Sequence, residues 1–288
     1  MSDPNYPVAL ITDSAGDIPA ELREQYHIIM VPMHIIWGTQ DLLDQVDIDS
    51  DTFYHRLPKD PTHPKTAQPT AQEFLDVINQ AKSAGAKEAV VVTISNQMSG
   101  TIESVKQAQA QSDIPIHIVD SLSASMGQGW QVLAAARARE AGGDAQAMVA
   151  AADKVRQTLQ VIFAVETLEF LHRGGRIGGA VKLVGTALQL KPQLYVDHKT
   201  GRVEAGERTR TYKKAVERMY EVFFEKMDTS KPMHIAVLHA AAHEQAEAIL
   251  ARIQNEYKPV ELFAFQASPV IGTHAGPGTV GLCGYYEI

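Results

Sequence analysis

Short apolar runs that end in hydroxyl or carboxyl residues and lead into helix-period segments recur through the first half of this chain. Val8–Ile11 ends in Thr12-Asp13-Ser14, the continuous apolar run Ala89–Ile94 ends in the polar loop Ser95–Gly100, and Ile114–Val119 ends in Asp120-Ser121. Runs of this kind read as strands buried on both faces. The segments between them read as helices. Asp17 is placed to cap a helix through Gln25, with Pro19 in its first turn. Thr70 and Glu73 have capping-box spacing ahead of Phe74, Val77, Ile78 and Ala81 on one face. Further helices are predicted over Thr101–Gln111, after Asp120-Ser121 through Ala141, and from Gly142-Gly143-Asp144 to about Thr158. Strand–loop–helix order repeated this way implies a parallel sheet with helices on both faces.

Two regions depart from that rhythm. His27–Val31 and His34–Trp37 read as strands broken by Pro32, and Asp41–Pro64 reads as a polar excursion with a short helix at Ser50–Arg56. After a strand at Val161–Val165 the pattern changes: Gln193–Val196 and Arg202–Glu204 flank a hairpin turn at Asp197–Gly201. A helix over Tyr212–Lys226, strand His234–Leu238, helix Glu244–Gln254, strand Glu261–Ala267 and a last strand near Val280–Tyr286 follow. The expected fold class is α/β with two domains: a three-layer parallel-sheet domain over residues 1–160 and a second, mixed α/β domain over 161–288.

Composition excludes several classes. The formal charge of −8, from 34 acidic against 26 basic residues, opposes nucleic-acid binding, which relies on clustered Lys and Arg to neutralise phosphates. The single cysteine, Cys283, forms no internal disulfide, zinc knuckle or Cys-x-x-Cys pair. The N-terminus lacks a basic n-region, and no apolar stretch approaches the length of a membrane span. A cytoplasmic protein is the expectation.

In parallel sheets, ligands bind beyond the carboxyl ends of the strands. The three strand-end loops, with Thr66-Ala67-Gln68-Pro69-Thr70 before a helix, offer hydroxyls and helix-end N–H groups without a local Lys or Arg. Such a set suits one carboxylate better than a pyrophosphate. Each piece also has a structural reading: Ser99, Thr101 and Thr70 as helix caps, Asp13 and Asp120 as turn formers. The run His172–Gly179 is neither a Walker loop nor a dinucleotide fingerprint. It reads as an interdomain turn with Arg173 and Arg176 solvated, or as glycines permitting close approach to a ligand. Gly272–Gly278 is a second glycine loop, whose one titratable side chain is His274. There is no G-x-S-x-G elbow, and His243-Glu244 lacks the second His of a zincin helix.

Six motifs in order resemble the DegV family: Thr12-Asp13-Ser14, Thr66 to Thr70, Ser99-Gly100-Thr101, Asp120-Ser121, Arg173 to Ile177, and His274 to Gly278. The resemblance implies a bacterial two-domain protein that binds a long-chain fatty acid between its domains and needs no other cofactor and no metal. Members acting as FakB-type subunits present the carboxylate to a separate ATP-binding fatty acid kinase subunit, which makes acyl phosphate for phospholipid synthesis. By motif position, Thr66, Ser99 and His274 hold or neighbour the carboxylate, with Ser95 and Thr101 nearby. Arg208 is expected near the head group or on the kinase-facing surface. Ala67 stands where the family commonly has Ser, which removes one hydroxyl donor.

The resemblance thus implies a lipid-binding subunit without catalysis of its own, with a kinase subunit as partner and no contact with membranes beyond the transient. Competing readings are a phosphotransferase or hydrolase using the hydroxyl loops and His274 on a small polar substrate, and a lipid sensor with a non-kinase partner. Candidate tail-lining residues are Phe163, Leu168, Phe170, Leu183, Leu188, Leu190, Phe263 and Phe265.

Overall fold

Alternation along the first strand sets up the N-terminal half. Val8 and Leu10 face one side and Ala9 and Ile11 the other, and both sides are buried. The computed structural model describes residues 6–183 and 191–288. In chain order the elements are β1 (Val8–Asp13), α1 (Ala20–Gln25), β2 (Ile29–Val31), β3 (His34–Trp37), β4 (Gln40–Leu43), α2 (Ser50–Arg56), β5 (Lys65–Ala67), α3 (Ala71–Ser83), β6 (Glu88–Thr93) and α4 (Thr101–Gln109). They continue with β7 (Ile116–Asp120), α5 (Met126–Glu140), α6 (Ala145–Thr158), β8 (Gln160–Ala164), α7 (Glu169–Arg173), β9 (Lys191–Asp197) and β10 (Arg202–Thr209). The last are α8 (Tyr212–Lys226), β11 (Met233–His239), α9 (His243–Glu256), β12 (Glu261–Gln266), α10 (Pro269–Ala275) and β13 (Val280–Tyr286).

The parallel sheet has the order β2-β1-β6-β7, and the mixed sheet the order β10-β9-β8-β13-β11-β12. Phe74 and Ile78 of α3 and Val105 of α4 cover one face of the parallel sheet. Met126, Trp130 and Leu133 of α5 and Met148 and Val155 of α6 cover the other. The same α5–α6 layer also packs on the mixed sheet, through Val161, Val196, Ala236, Cys283 and Tyr285, and Trp130 Nε1 donates to the Cys283 carbonyl at 3.0 Å. Helices α8 and α9 close the far face, against Ile162, Ile235, Val237 and Leu282. Helix α5 is therefore buried nearly all round, as expected for a helix between two sheets, with Gln128 and Gln131 among its buried residues.

A small antiparallel sheet, β4-β3-β5, completes the architecture. The polar excursion thus begins in a strand, and the Thr66 stretch is itself an edge strand. Asp17 differs from expectation as well. It lies at the C-terminal end of a 3₁₀ turn, Ser14–Gly16, with φ 50°, and α1 starts from Pro19 without a side-chain cap. The Asp17 carboxylate instead accepts from Ser125 Oγ at 2.6 Å and from the Ser268 N–H at 3.1 Å. Among the described residues no helix is long and apolar enough to cross a membrane, and no group of three or more His, Cys, Asp or Glu is placed to hold a metal ion.

Candidate functional site

The loop after β6, strands β8, β9, β10 and β11 of the mixed sheet, Thr66 of β5 and α10 line an apolar cavity of about 110 Å³. Strand period 2 supplies its walls. On β8, Val161 and Phe163 point into it while Ile162 and Ala164 point to α8. Val196 and Val203 of the β9–β10 hairpin, Leu238 of β11, and Ile94 and Met98 of the loop after β6 add to the wall. Polar side chains collect among Thr66, Gln68, Ser99, Ser125, Arg176 and His274.

Thr66 arrives on β5, paired opposite Ile35 of β3. His274 arrives on the last turn of α10, and its Nε2 lies 2.8 Å from Thr66 Oγ1. The glycine loop expected here is largely helix. Pro269 occupies the first turn, Gly276 at φ 77° ends it, and two buried carboxylates hold its N-terminus. Asp17 accepts from Ser268 N–H, and Asp44 Oδ1 accepts from Val270 N–H at 3.2 Å. Burial pushes the Asp17 carboxyl up to about 6 and the Asp44 carboxyl up to about 7. Burial, aided by the Arg176 charge, pushes His274 down to about 4, so its imidazole is neutral near pH 7. His274 Nδ1 is buried without a hydrogen-bond partner among the described residues.

Of the four hydroxyl-rich stretches, two reach the cavity. Ser99 lines it, and its Oγ lies 2.9 Å from Thr101 Oγ1, which is fully buried behind it. Ser95 does not line the cavity. Its Oγ donates to the Gly201 carbonyl at 2.7 Å, tying the loop after β6 to the β9–β10 turn. Asp13 is a buried brace: it accepts from the N–H groups of Ala15 and Ile94 and from Gln128, and burial pushes it up to about 6. Asp120 shapes the turn that follows it by accepting from Leu122 N–H at 2.9 Å. Arg208 lies on β10, exposed and away from the cavity lining.

Arg176 corrects the expectation of a site without a local cation. It lines the cavity, and its guanidinium donates to the carbonyls of Met98 at 2.8 Å and Gly174 at 2.7 Å. Arg173 remains exposed, paired with Glu169. Gln68 was within reach of sequence reasoning, because it sits in the Thr66–Thr70 motif. Ser125 carried no such signal: it enters through a turn where its φ is 52°, fixed by bonds to Asp17 and to the Ala15 carbonyl. Of the tail candidates Phe163 lines the cavity, while Phe263 and Phe265 pack beside Trp130 and Leu183 is buried elsewhere. Leu168 packs beside the Phe163 cluster, and Phe170 lines an adjoining pocket. Leu188 and Leu190 lie outside the described residues.

The model of a family described as uncharacterised proteins of the DegV family matches residues 7–287. This chain belongs to the DegV family. Protein DegV of Bacillus subtilis (strain 168) is 32% identical over 279 residues, 96% of this chain and 98% of that protein. A fatty-acid-binding DegV family protein from Thermus thermophilus has a solved structure with a TM-score of 0.90 at 32% identity, covering 97% of this chain and 99% of that one. The crystal structure of DegV from Bacillus subtilis, a fatty acid binding protein, gives a TM-score of 0.90 at 30% identity, covering 98% and 100%. The mixed α/β architecture with one parallel and one mixed sheet is that of these DegV structures.

Proposed function

We propose that this DegV protein binds one long-chain fatty acid, with the tail in the apolar cavity and the carboxylate at Thr66, Ser99 and His274, and performs no chemistry alone. The observation that carries this reading is an apolar cavity with a hydrogen-bonded pair on its wall: its strand-derived walls are Val, Leu, Ile and Phe, and Thr66 Oγ1 and His274 Nε2, 2.8 Å apart, both line it. The fatty-acid-binding relatives support the same ligand class. About 0.8 kcal/mol per buried methylene gives on the order of 11 kcal/mol gross for a tail of about fourteen, reduced by association and ordering costs. The head group therefore needs only orientation and pairing. In this reading the two domains, 1–160 and 161–288, contribute opposite walls, Arg176 adds a charge beside the head group, and Thr101 and Ser95 hold the loop that carries Ser99.

We further propose that the bound carboxylate is presented to a separate ATP-binding fatty acid kinase subunit in the bacterial cytoplasm, for acyl-phosphate formation and phospholipid synthesis, with exposed Arg208 on the partner-facing surface. Carboxylate oxygens held by neutral hydroxyl and imidazole groups, with the Arg176 guanidinium taken up by the Met98 and Gly174 carbonyls, keep the nucleophilicity that attack on a γ-phosphate requires. Mass spectrometry of ligand extracted from the purified protein tests the first claim: a stoichiometric fatty acid is expected, and a protein that neither carries nor takes up hexadecanoate defeats it. Incubation with a kinase subunit and ATP tests the second. Acyl phosphate is expected only when both proteins are present. Its absence, with a kinase that phosphorylates acid held by another carrier, overturns the presenting role.

A further inference from the structure

Strand β5 is three residues long and lies at the edge of its sheet, against β3, yet it carries Thr66 to the cavity wall. Directly opposite residues of paired strands share a face, and successive residues alternate. Thr66 therefore stands on the Ile35 face, toward His274. Ala67, opposite His34, and Lys65, opposite Ile36, stand on the other. His34 lies on that second face, with its side chain 14% exposed, between carboxylates from two other elements. Its Nδ1 is 2.8 Å from Asp41 Oδ1 on β4, and its Nε2 is 3.2 Å from Glu73 Oε1 on α3. Glu73 Oε2 also accepts from the Thr70 N–H at 2.7 Å and from Thr70 Oγ1 at 2.8 Å, closing the capping box of α3. The charged side chain that β5 itself puts on this face, Lys65, is exposed.

A neutral imidazole has one N–H and would turn a lone pair toward one of these carboxylates, whereas the imidazolium donates to both. Burial works against the charge, but the hydrogen bonds to Asp41 and Glu73 outweigh it and hold the imidazole above its ordinary range. Thr66 sits on a short span whose two ends are the pairing with β3 and the cap of α3, and His34 joins those ends. We propose that His34, as the imidazolium bridging Asp41 and Glu73, is a positioning residue for the head-group site: it ties β3 to the N-terminus of α3 and so holds Thr66 Oγ1 beside His274. The tie is complete while both ring nitrogens carry protons and loosens as the imidazolium is lost on the alkaline side. This rests on Thr66 as a ligand of the carboxylate in the proposed function.

Because the folded pKa of His34 is raised, its contribution is full below the unfolded value of about 6.5 and is lost as pH rises through the folded one. Titration calorimetry with hexadecanoate at about pH 6.5 and about pH 9 tests this in the wild type, His34→Arg, His34→Gln, Thr66→Val and the double variant Thr66→Val/His34→Gln. The buried Asp17 and Asp44 titrate near the lower end of this range. The quantity read is therefore the ratio of dissociation constants between wild type and His34→Arg, in which those groups are unchanged and the charge is permanent. That ratio is expected near one at the lower pH and about threefold to tenfold in favour of His34→Arg at the higher, bounded by one hydrogen bond to a charged group. His34→Gln should bind weakly at both. On the Thr66→Val background it should cost little more, because the side chain being positioned is gone. A ratio near one at both pH values, or a His34→Gln loss that persists in full without Thr66, overturns the proposal and leaves the fatty-acid reading standing. Amide exchange without ligand is the second measurement. Protection of Thr66 and Ala67 should fall in His34→Gln and return in His34→Arg, with β6 unchanged; equal loss in β5 and β6 would mean general destabilisation and overturns the proposal as well. If hexadecanoate fails to bind the wild type, the fatty-acid reading falls, and unchanged β5 protection in His34→Gln would then remove the tie too.

Discussion

His274 is held neutral by its surroundings, and in the proposed function that sets how it would meet a carboxylate. Burial and the Arg176 charge lower it to about 4, while Nε2 stays 2.8 Å from Thr66 Oγ1. The pair acts as one neutral donor unit, so single substitutions should not add. Thr66→Val and His274→Gln are each expected to weaken hexadecanoate binding about tenfold to a hundredfold, since a hydrogen bond to a charged group is worth about 1.5–3 kcal/mol. The double variant should cost little more than either single change. Calorimetric titration of all four proteins checks this, and additive losses would mean that the two side chains act separately. The same group fixes a pH signature. Its folded pKa lies below its unfolded value of about 6.5, so the unfolded chain takes the proton first. Its stabilisation is present above about 6.5 and is lost as pH falls toward 4. Thermal melts of His274→Gln at pH 7 and pH 5 should show a smaller acid-side loss than the wild type. What sequence could show at this scale was residue type: Thr66, Ser99 and His274 sit in recognisable motifs. Orientation was not legible. Ser95 and Asp13 belong to the same kind of motif, yet their side chains are consumed by the Gly201 carbonyl and the Ile94 N–H.

At the scale of elements, α10 shows why local pattern misled. Its sequence holds Gly272 and Thr273, which are poor helix formers, and it is flanked by Gly276 and Gly278, so a loop was the natural reading. The helix is stabilised from outside, by Asp17 and Asp44 at its N-terminus and by packing of Gly272 against Tyr54, where a Cβ would collide with the hydroxyl. The strands of the parallel sheet were legible because burial on both faces makes them continuous apolar runs. Gln40–Leu43 and Lys65–Ala67 were not, because they are short and largely exposed and owe their conformation to pairing with β3. The anchoring of α10 predicts a second pH effect, opposite in sign to that of His274. Burial raises Asp44 to about 7, so the folded state keeps its proton after the unfolded state has lost it. The stabilisation from that proton is complete below about 4 and disappears as pH rises to about 7, with a slope of about 1.4 kcal/mol per pH unit. Asp44→Asn removes that slope. The stability difference between pH 4.5 and pH 7.5, from urea denaturation, should shift toward greater relative stability at the higher pH in the variant. An unchanged difference would show that Asp44 titrates normally.

Across the whole molecule, one helical layer serves two sheets, and the cavity draws its walls from both. Ile94 and Met98 come from the parallel-sheet side, Val161, Phe163, Val203 and Leu238 from the mixed sheet, and Val270 and Ile271 from α10. In the proposed function a bound tail touches both sheets and α10, parts that also meet through α5 and α6 and through the packing of α10 on α2, β3 and β5. The cavity volume of about 110 Å³ is below the roughly 300–1,000 Å³ of ordinary ligand pockets. A full-length tail must then part the walls, and close packing lets them move only as blocks. Two measurements follow from that geometry. Dissociation constants for saturated acids from eight carbons upward should fall about fourfold per added methylene, the equivalent of about 0.8 kcal/mol, and then level off at the length the widened cavity accepts. Ligand at one hundred times its Kd should add about 2.7 kcal/mol to stability, and hydrogen exchange should slow together in β8, β11 and α10 instead of in one wall alone. A Kd that stays flat from eight to eighteen carbons would place the tail outside this cavity. Slowing confined to α10 would show that the ligand rests on that helix without bridging the two sheets.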